Sequence, residues 1–162
     1  MLENLAPHHR AKLASLLADT PEFTAPEVDV ALELVDAALA EPERGDYRFV
    51  LFEREERVLG YACYGPTPMT DGTFDLYWLV IDRAVRRTGL GGLLLSNVEQ
   101  RLASSGARLL RLETAGLSSY DAARRFYLRH GYQLAGRIRD FYWLGNDLHV
   151  YVKYLGGGSA AR

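Results

Sequence analysis

The run Leu79-Val80-Ile81-Asp82-Arg83-Ala84-Val85-Arg86-Arg87-Thr88-Gly89-Leu90-Gly91-Gly92-Leu93-Leu94-Leu95 carries the clearest chemical signal in this chain. An apolar β-run ends, a basic loop with glycines follows, and a leucine-striped helix begins. The first N–H groups of a helix lack internal partners and its dipole favours negative charge, so this order builds an anion site suited to phosphate. Gly89 and Gly91 let a ligand approach the backbone with no Cβ in the way, and the N–H groups of Arg87 through Gly92 form the expected cradle. Arg86 and Arg87 either screen phosphate charge or are simply solvated. The plainer alternative for the glycines is an ordinary helix start, although such starts more often use Ser, Thr or Asp.

Two common phosphate motifs fit poorly. A Walker A loop needs Lys-Ser/Thr after its second glycine, and here Gly91 is followed by Gly92-Leu93. A dinucleotide fingerprint finds an acid about twenty residues on, Glu113, but its third glycine falls at Leu94. Its glycines should also follow the strand at once, whereas Asp82 to Thr88 intervene. Other chemistry is thin. His8, His9, His130 and His149 are scattered without His-x-x-x-His spacing, so no metal is expected. Ser118-Ser119 lacks the Gly-x-Ser-x-Gly context of a nucleophile and reads as a helix N-cap. The one cysteine, Cys63, excludes a disulfide framework and reads as a small buried hydrophobe.

The elements that must position this loop follow from periodicity. Leu13, Leu16 and Leu17 form a short helical face. Thr24-Ala25-Pro26-Glu27 is a capping box ahead of Val28, Leu32, Val35 and Leu39, which predicts a helix over residues 25–40. Residues 47–53, 58–64 and 73–81 read as a three-strand antiparallel meander, with Glu55-Glu56-Arg57 as a turn and Gly65-Pro66 as a stop. Leu90, Leu93, Leu94, Val98 and Leu102 mark a helix ending near Ser105-Gly106. Leu109 to Glu113 is then a strand parallel to 73–81, because a helix crosses over between them. Residues 122–130 form a helix closed by Gly131, and 132–144 and 148–155 form a hairpin turning at Gly145-Asn146-Asp147.

The 162-residue length predicts one domain with a real core. Hydrophobic residues at 48% and charged residues at 25% are ordinary for a soluble globular protein. A net charge of −2 argues against nucleic-acid and membrane partners, and the expected location is the cytoplasm. No run approaches the ~18–20 apolar residues of a membrane span, and Met1 to Leu5 has no apolar signal core. Residues 156–162 read as a flexible tail after a domain over residues 1–155.

Arg86-Arg87-Thr88-Gly89-Leu90-Gly91 resembles the Arg/Gln-x-x-Gly-x-Gly/Ala motif of the Gcn5-related N-acetyltransferases (GNAT). Downstream, Ala123-Arg124-Arg125-Phe126-Tyr127-Leu128-Arg129-His130-Gly131-Tyr132 is similar to that family's second signature, Ala-x-x-Phe-Tyr before Gly-Phe/Tyr. The resemblance covers roughly residues 47–155. It implies an α/β single domain whose twisted sheet is mixed and mostly antiparallel, with a central parallel splayed pair and flanking helices. It also implies acetyl-CoA as cosubstrate and direct attack by an amine, with no covalent enzyme intermediate.

By that resemblance, main-chain groups of Leu79 and Ile81 bond the pantetheine arm, the Ile81 amide polarises the thioester carbonyl, and Tyr127 protonates the departing thiolate. Tyr127 would share a helix face with Ala123, while Phe126 should face the core; the bland alternative is a buried structural tyrosine. Candidate bases for the amine are Glu113, slightly ahead, and Asp75, each equally readable as an ion-pair partner. The chain departs from the family at Arg83, where proline is usual, at Arg87, where glycine is common, and at Tyr120, where an asparagine contacts the coenzyme. Ser118, Ser119 and the Tyr120 hydroxyl are the candidates to replace that contact. The family's first strand is short or absent here. Phe23, Tyr64, Tyr77 and Tyr142 are candidate contacts to a small amine or amino acid, with core packing the plainer reading of half of such aromatics. A protein lysine or N-terminus is the alternative acceptor, a non-catalytic acyl-CoA-binding module the rival class, and a homodimer the expected assembly.

Overall fold

Alternation of helices and strands in the sequence produces an α/β fold in the computed structural model, which describes residues 2–156. Strands β1 (Leu2–Glu3), β2 (Arg48–Arg54), β3 (Arg57–Pro66), β4 (Thr73–Ile81), β5 (Leu109–Ala115), β6 (Gln133–Trp143) and β7 (Asn146–Tyr154) pair in the order β1-β2-β3-β4-β5-β7-β6. The helices are α1 (His9–Ala18), α2 (Ala25–Ala40), α3 (Leu90–Ser104) and α4 (Asp121–Arg129). The sheet is mixed: β4 and β5 are parallel, while β1–β2, β2–β3, β5–β7 and β6–β7 are antiparallel. A two-residue first strand is present, pairing Leu2 with Phe52. The expected tail lies outside the described residues from 157 onward.

The chain divides into two compact units. The first comprises Met1–Pro66 and Tyr77–Val98; the second comprises Thr67–Leu76 and the chain from Glu99 onward. In the first unit, Leu13, Leu17, Val35, Leu51, Tyr61 and Val80 form a buried core to which α1, α2 and three strands contribute. The Glu27 carboxylate accepts the Thr24 N–H and hydroxyl, each at 2.7 Å, which caps α2 as its sequence predicts. Cys63 and Tyr61 are fully buried, and burial raises the pKa of both. Glu55 and Glu56 both take positive φ, 51° and 59°, because the two-residue turn between Arg54 and Arg57 requires left-handed backbone.

Several boundaries differ from expectation. β3 runs on through Gly65 and Pro66, since proline is tolerated where a strand ends. A Cβ on Gly65 would lie 1.9 Å from the Asp46 carbonyl oxygen, so glycine there serves close backbone approach. The β6–β7 hairpin turns at Leu144-Gly145, one residue earlier than predicted, with Trp143 paired to Asn146. Ser118 and Ser119 belong to a 3-10 turn, Ser118–Tyr120, and Tyr120 rather than a serine occupies the N-cap of α4.

In the second unit, the parallel ladder runs from Thr73↔Leu109 to Leu76↔Leu112. Both strands continue, β4 to Ile81 and β5 to Ala115. β5 pairs along its whole length with β7. β6 is an edge strand with both faces largely exposed, including Leu134, Ile138, Phe141 and Trp143.

Candidate functional site

The loop after β4 is held by short-range bonds that leave its glycine end open. The Asp82 carboxylate accepts the Ala84 N–H at 2.8 Å and meets Arg57 at 3.1 Å, which anchors the 3-10 turn Arg83–Val85. The Thr88 hydroxyl donates to the Val85 carbonyl at 2.7 Å, and the Thr88 N–H reaches the same oxygen at 3.4 Å. Arg87 then sits at φ 66° and Gly89 at φ 93°. The left-handed backbone at Arg87 gives a physical reason for glycine at that place in the family motif. Leu93 donates to the Gly89 carbonyl at 3.0 Å, so Gly89 closes the first turn of α3. The amides of Arg87, Gly89, Leu90, Gly91 and Gly92 meet no partner among the described residues. Five of the six expected cradle donors are therefore open, and Thr88 is the exception. Leu90 is buried beneath them, as expected. Beside the loop lies a depression of about 400 Å³ lined by residues that include Phe52, Leu59, Val85, Gly89 and Leu93.

Arg86 does something neither alternative for it anticipates. Its guanidinium grips Glu22 at 2.5 and 3.1 Å, and its Nε donates to the Ile81 carbonyl at 3.2 Å. The Arg86 hydrogen bond lowers the Glu22 pKa, and Glu22 raises that of Arg86. The side chain thus ties the residues before α2 to the end of β4, and the expected cradle falls to the main chain. Leu79 and Ile81 are half-buried on β4, and Asp82 N–H bonds the Leu59 carbonyl at 2.9 Å. Gly60 on β3 belongs to neither sequence motif, yet it borders the same strand. A Cβ there would lie 2.9 Å from both the Val80 carbonyl oxygen and Ile81 Cδ1. Glycine inside a strand pattern is the signal that marks such approach.

The proposed substrate aromatics divide. Tyr64 is buried, Phe23 packs edge-on to Trp78 at 5.2 Å, and Tyr77 packs edge-on to Tyr47 at 5.4 Å while staying partly exposed. In the second unit, Tyr142 is exposed on β6 between Phe141 and Trp143. Core packing accounts for Tyr64, and Phe23 shares it.

Of the carboxylates, Asp75 is buried and fully engaged: Arg111 Nε reaches it at 2.5 Å and the Thr67 hydroxyl at 2.7 Å. Glu113, further along β5, is exposed and meets Arg111 at 3.0 Å through one oxygen. Tyr127 is buried on α4, and burial raises its pKa above the ordinary 10.0, so the phenol keeps its proton. No group among the described residues hydrogen-bonds its hydroxyl. Phe126 is only half-buried and stacks on His130 at 4.2 Å; the expectation of a core Phe126 is corrected, and Tyr127 takes the more buried place. Tyr120, half-buried at the α4 N-cap, donates its N–H to Leu117. Arg124 binds the Ala115 carbonyl and Asp121, which joins α4 to the end of β5.

His8, His9 and Glu53 bring ligand atoms within 4.8 Å of one another. Nδ1 of His9 accepts the Ala6 N–H at 3.0 Å, which leaves Nε2 to carry the ring proton toward Glu53 at 3.2 Å. Lys12 holds the other Glu53 oxygen at 2.7 Å. The ion pair that joins α1 to β2 here is Lys12–Glu53.

The sequence matches the model of the acetyltransferase (GNAT) family over residues 11–132. No curated protein sequence matches the chain. Among solved structures, a protein assigned to the GNAT family from Desulfovibrio desulfuricans is 36% identical, with TM-score 0.93 over 96% of this chain and 99% of its own. An aminoglycoside 6'-N-acetyltransferase complexed with coenzyme A is 16% identical, with TM-score 0.78 over 98% of each chain. The ribosomal-protein-S18-alanine N-acetyltransferase of Escherichia coli is also 16% identical, with TM-score 0.78 over 100% of this chain and 97% of its own.

Proposed function

The chain belongs to the GNAT family of N-acetyltransferases, and on that premise we propose that it transfers acetyl from acetyl-CoA to a primary amine of a small molecule or amino acid. The observation that carries the reading is the set of open amides of Arg87, Gly89, Leu90, Gly91 and Gly92 around the start of α3. A polyanionic pyrophosphate satisfies such donors without any side-chain charge. At Gly89 nothing lies within 4 Å of the point a Cβ would occupy, which leaves room for it.

When bound, the coenzyme supplies an acetyl group activated as a thioester. The chain's own residues do the rest. Leu79 and Ile81 offer main-chain groups to the arm, and the Ile81 amide donates to the carbonyl oxygen as negative charge grows there. Tyr127 is the proposed source of the proton that the departing thiolate requires, its phenol being protonated at neutral pH. Glu113, with one oxygen engaged by Arg111, is the proposed base for the incoming ammonium; Asp75, doubly held, is the weaker candidate.

Exposed aromatics such as Tyr77 and Tyr142 support a small, partly apolar amine. The coenzyme A-bound relative acts on aminoglycosides by its name, and the S18-alanine relative on a protein N-terminus, so a peptide N-terminus or lysine is the alternative. A non-catalytic acyl-CoA-binding module is the rival class. The proposed setting is the cytoplasm; among the described residues no helix is long and apolar enough to cross a membrane. The proposed homodimer draws support from β6, an edge strand with apolar side chains in water. Incubation with acetyl-CoA and three amine classes (an aminoglycoside, free amino acids, an alanyl peptide), with thiol release followed, tests the acceptor. Turnover of a small amine in preference to the peptide supports the reading. Turnover of the peptide alone overturns it.

A further inference from the structure

Tyr127 presents a problem of placement. Its hydroxyl has no hydrogen-bonding partner among the described residues, so ring packing and backbone must aim it. Its ring meets Phe126 at 5.3 Å and Tyr132 at 5.6 Å, both edge-on. Phe126 is half-buried, whereas Tyr132 is 2% exposed.

Tyr132 is itself held from three sides. Its hydroxyl donates to Glu99 Oε1 at 3.0 Å. The other Glu99 oxygen takes Lys153 Nζ at 2.6 Å, and the same ammonium lies 5.5 Å from the centre of the Tyr132 ring. The backbone completes the arrangement. Tyr132 N–H donates to the Tyr127 carbonyl at 3.1 Å and Gly131 N–H to that of Leu128 at 3.1 Å, with Gly131 at φ 85°. This is a Schellman cap, in which the residue after the left-handed glycine packs on the third residue from the helix end. Those two residues are Tyr132 and Tyr127.

We propose that Tyr132 is a positioning residue for the proton donor, fixing the Tyr127 ring through a tether to the Glu99–Lys153 pair. The proposal rests on the assignment of Tyr127 as the acid. The tether needs a hydroxyl at position 132; a phenylalanine would keep the cap and ring contact but lose the bond to Glu99. A misdirected donor slows the chemical step and leaves binding of the two substrates intact.

The test is a double-mutant cycle on acetyl transfer, with melting temperature recorded for every variant. Tyr132→Phe should lower kcat about tenfold while KM for acetyl-CoA and amine stays within about twofold. In a Tyr127→Phe background the same change should have no further effect on kcat, because there is no donor left to aim. Glu99→Ala provides a second route and should reproduce the kcat loss of Tyr132→Phe, the two together costing no more than either. An equal kcat loss with and without Tyr127, or a loss confined to KM, overturns the proposal. An unchanged kcat in Tyr127→Phe alone overturns the acid assignment itself, which distinguishes the two failures.

Discussion

Tyr127, a phenol, and the carboxylates Glu113 and Asp75 are candidates for opposite proton transfers, and their surroundings separate them further. Tyr127 is buried and keeps its proton, which fits a donor, so Tyr127→Phe should lower kcat about 10²-fold with little change in KM for acetyl-CoA. The carboxylates separate by their partners. Glu113→Gln should depress the rate at neutral pH and lose less at higher pH, where more amine is already free. Asp75→Asn should instead weaken the ion pair with Arg111, and its signature is a lower melting temperature. Equal rate losses in both carboxylate variants, with equal melting temperatures, would contradict this division of roles. The candidates were legible in the sequence because glycine spacing and the Phe-Tyr pair are local signals. Their partners were not. The Glu22–Arg86 pair spans 64 residues and the Tyr132–Glu99 bond 33, distances over which no periodicity reports contact.

At the scale of elements, the β4–α3 junction shows what a motif expresses physically. Arg87 occupies left-handed backbone at φ 66°, where a side chain costs energy that glycine avoids. Arg87→Gly should raise stability by up to about 1 kcal/mol in denaturant melts, with acetyl-CoA binding retained because the cradle is main chain. A lower stability would show that the Arg87 side chain matters more than its backbone. On the neighbouring strand, Gly60→Ala should cost about 1–3 kcal/mol, since the new methyl meets the Val80 carbonyl and the Ile81 side chain at 2.9 Å. It should also raise KM for acetyl-CoA more than it lowers kcat, which steady-state kinetics would check. Element order and most boundaries were readable from periodicity and caps; α2 and β4 occur where they were expected. The hairpin turn was misplaced by one residue because Gly145-Asn146-Asp147 offers several turn formers, and only the pairing of Trp143 with Asn146 selects among them.

For the molecule as a whole, net charge of −2 and an ordinary composition excluded classes without choosing a function. Acid sensitivity should come from held carboxylates. The backbone N–H of Asp140 and the Arg137 guanidinium keep Asp147 below its ordinary 3.8. Its folded pKa being depressed, its contribution is complete above the unfolded value and is lost as pH falls through the folded one. Melts between pH 6 and pH 3 should therefore show stability declining in the acid range, and Asp147→Asn should flatten that decline. Ligand linkage offers the broader check: acetyl-CoA at about 100 times its Kd should stabilise the protein by roughly 3 kcal/mol, while NAD should give no shift. The open amides of Arg87 and of Gly89 to Gly92 support the proposed donor, and the proposed acceptor depends on side chains that no motif encodes.

Acetyl transfer itself is open to direct measurement. Purified protein with acetyl-CoA and a panel of primary amines should release coenzyme A thiol in step with an N-acetylated product detected by mass, and Tyr127→Phe should slow both together. Tight acetyl-CoA binding with no amine acetylated would instead mark a binding module and contradict the proposed catalysis.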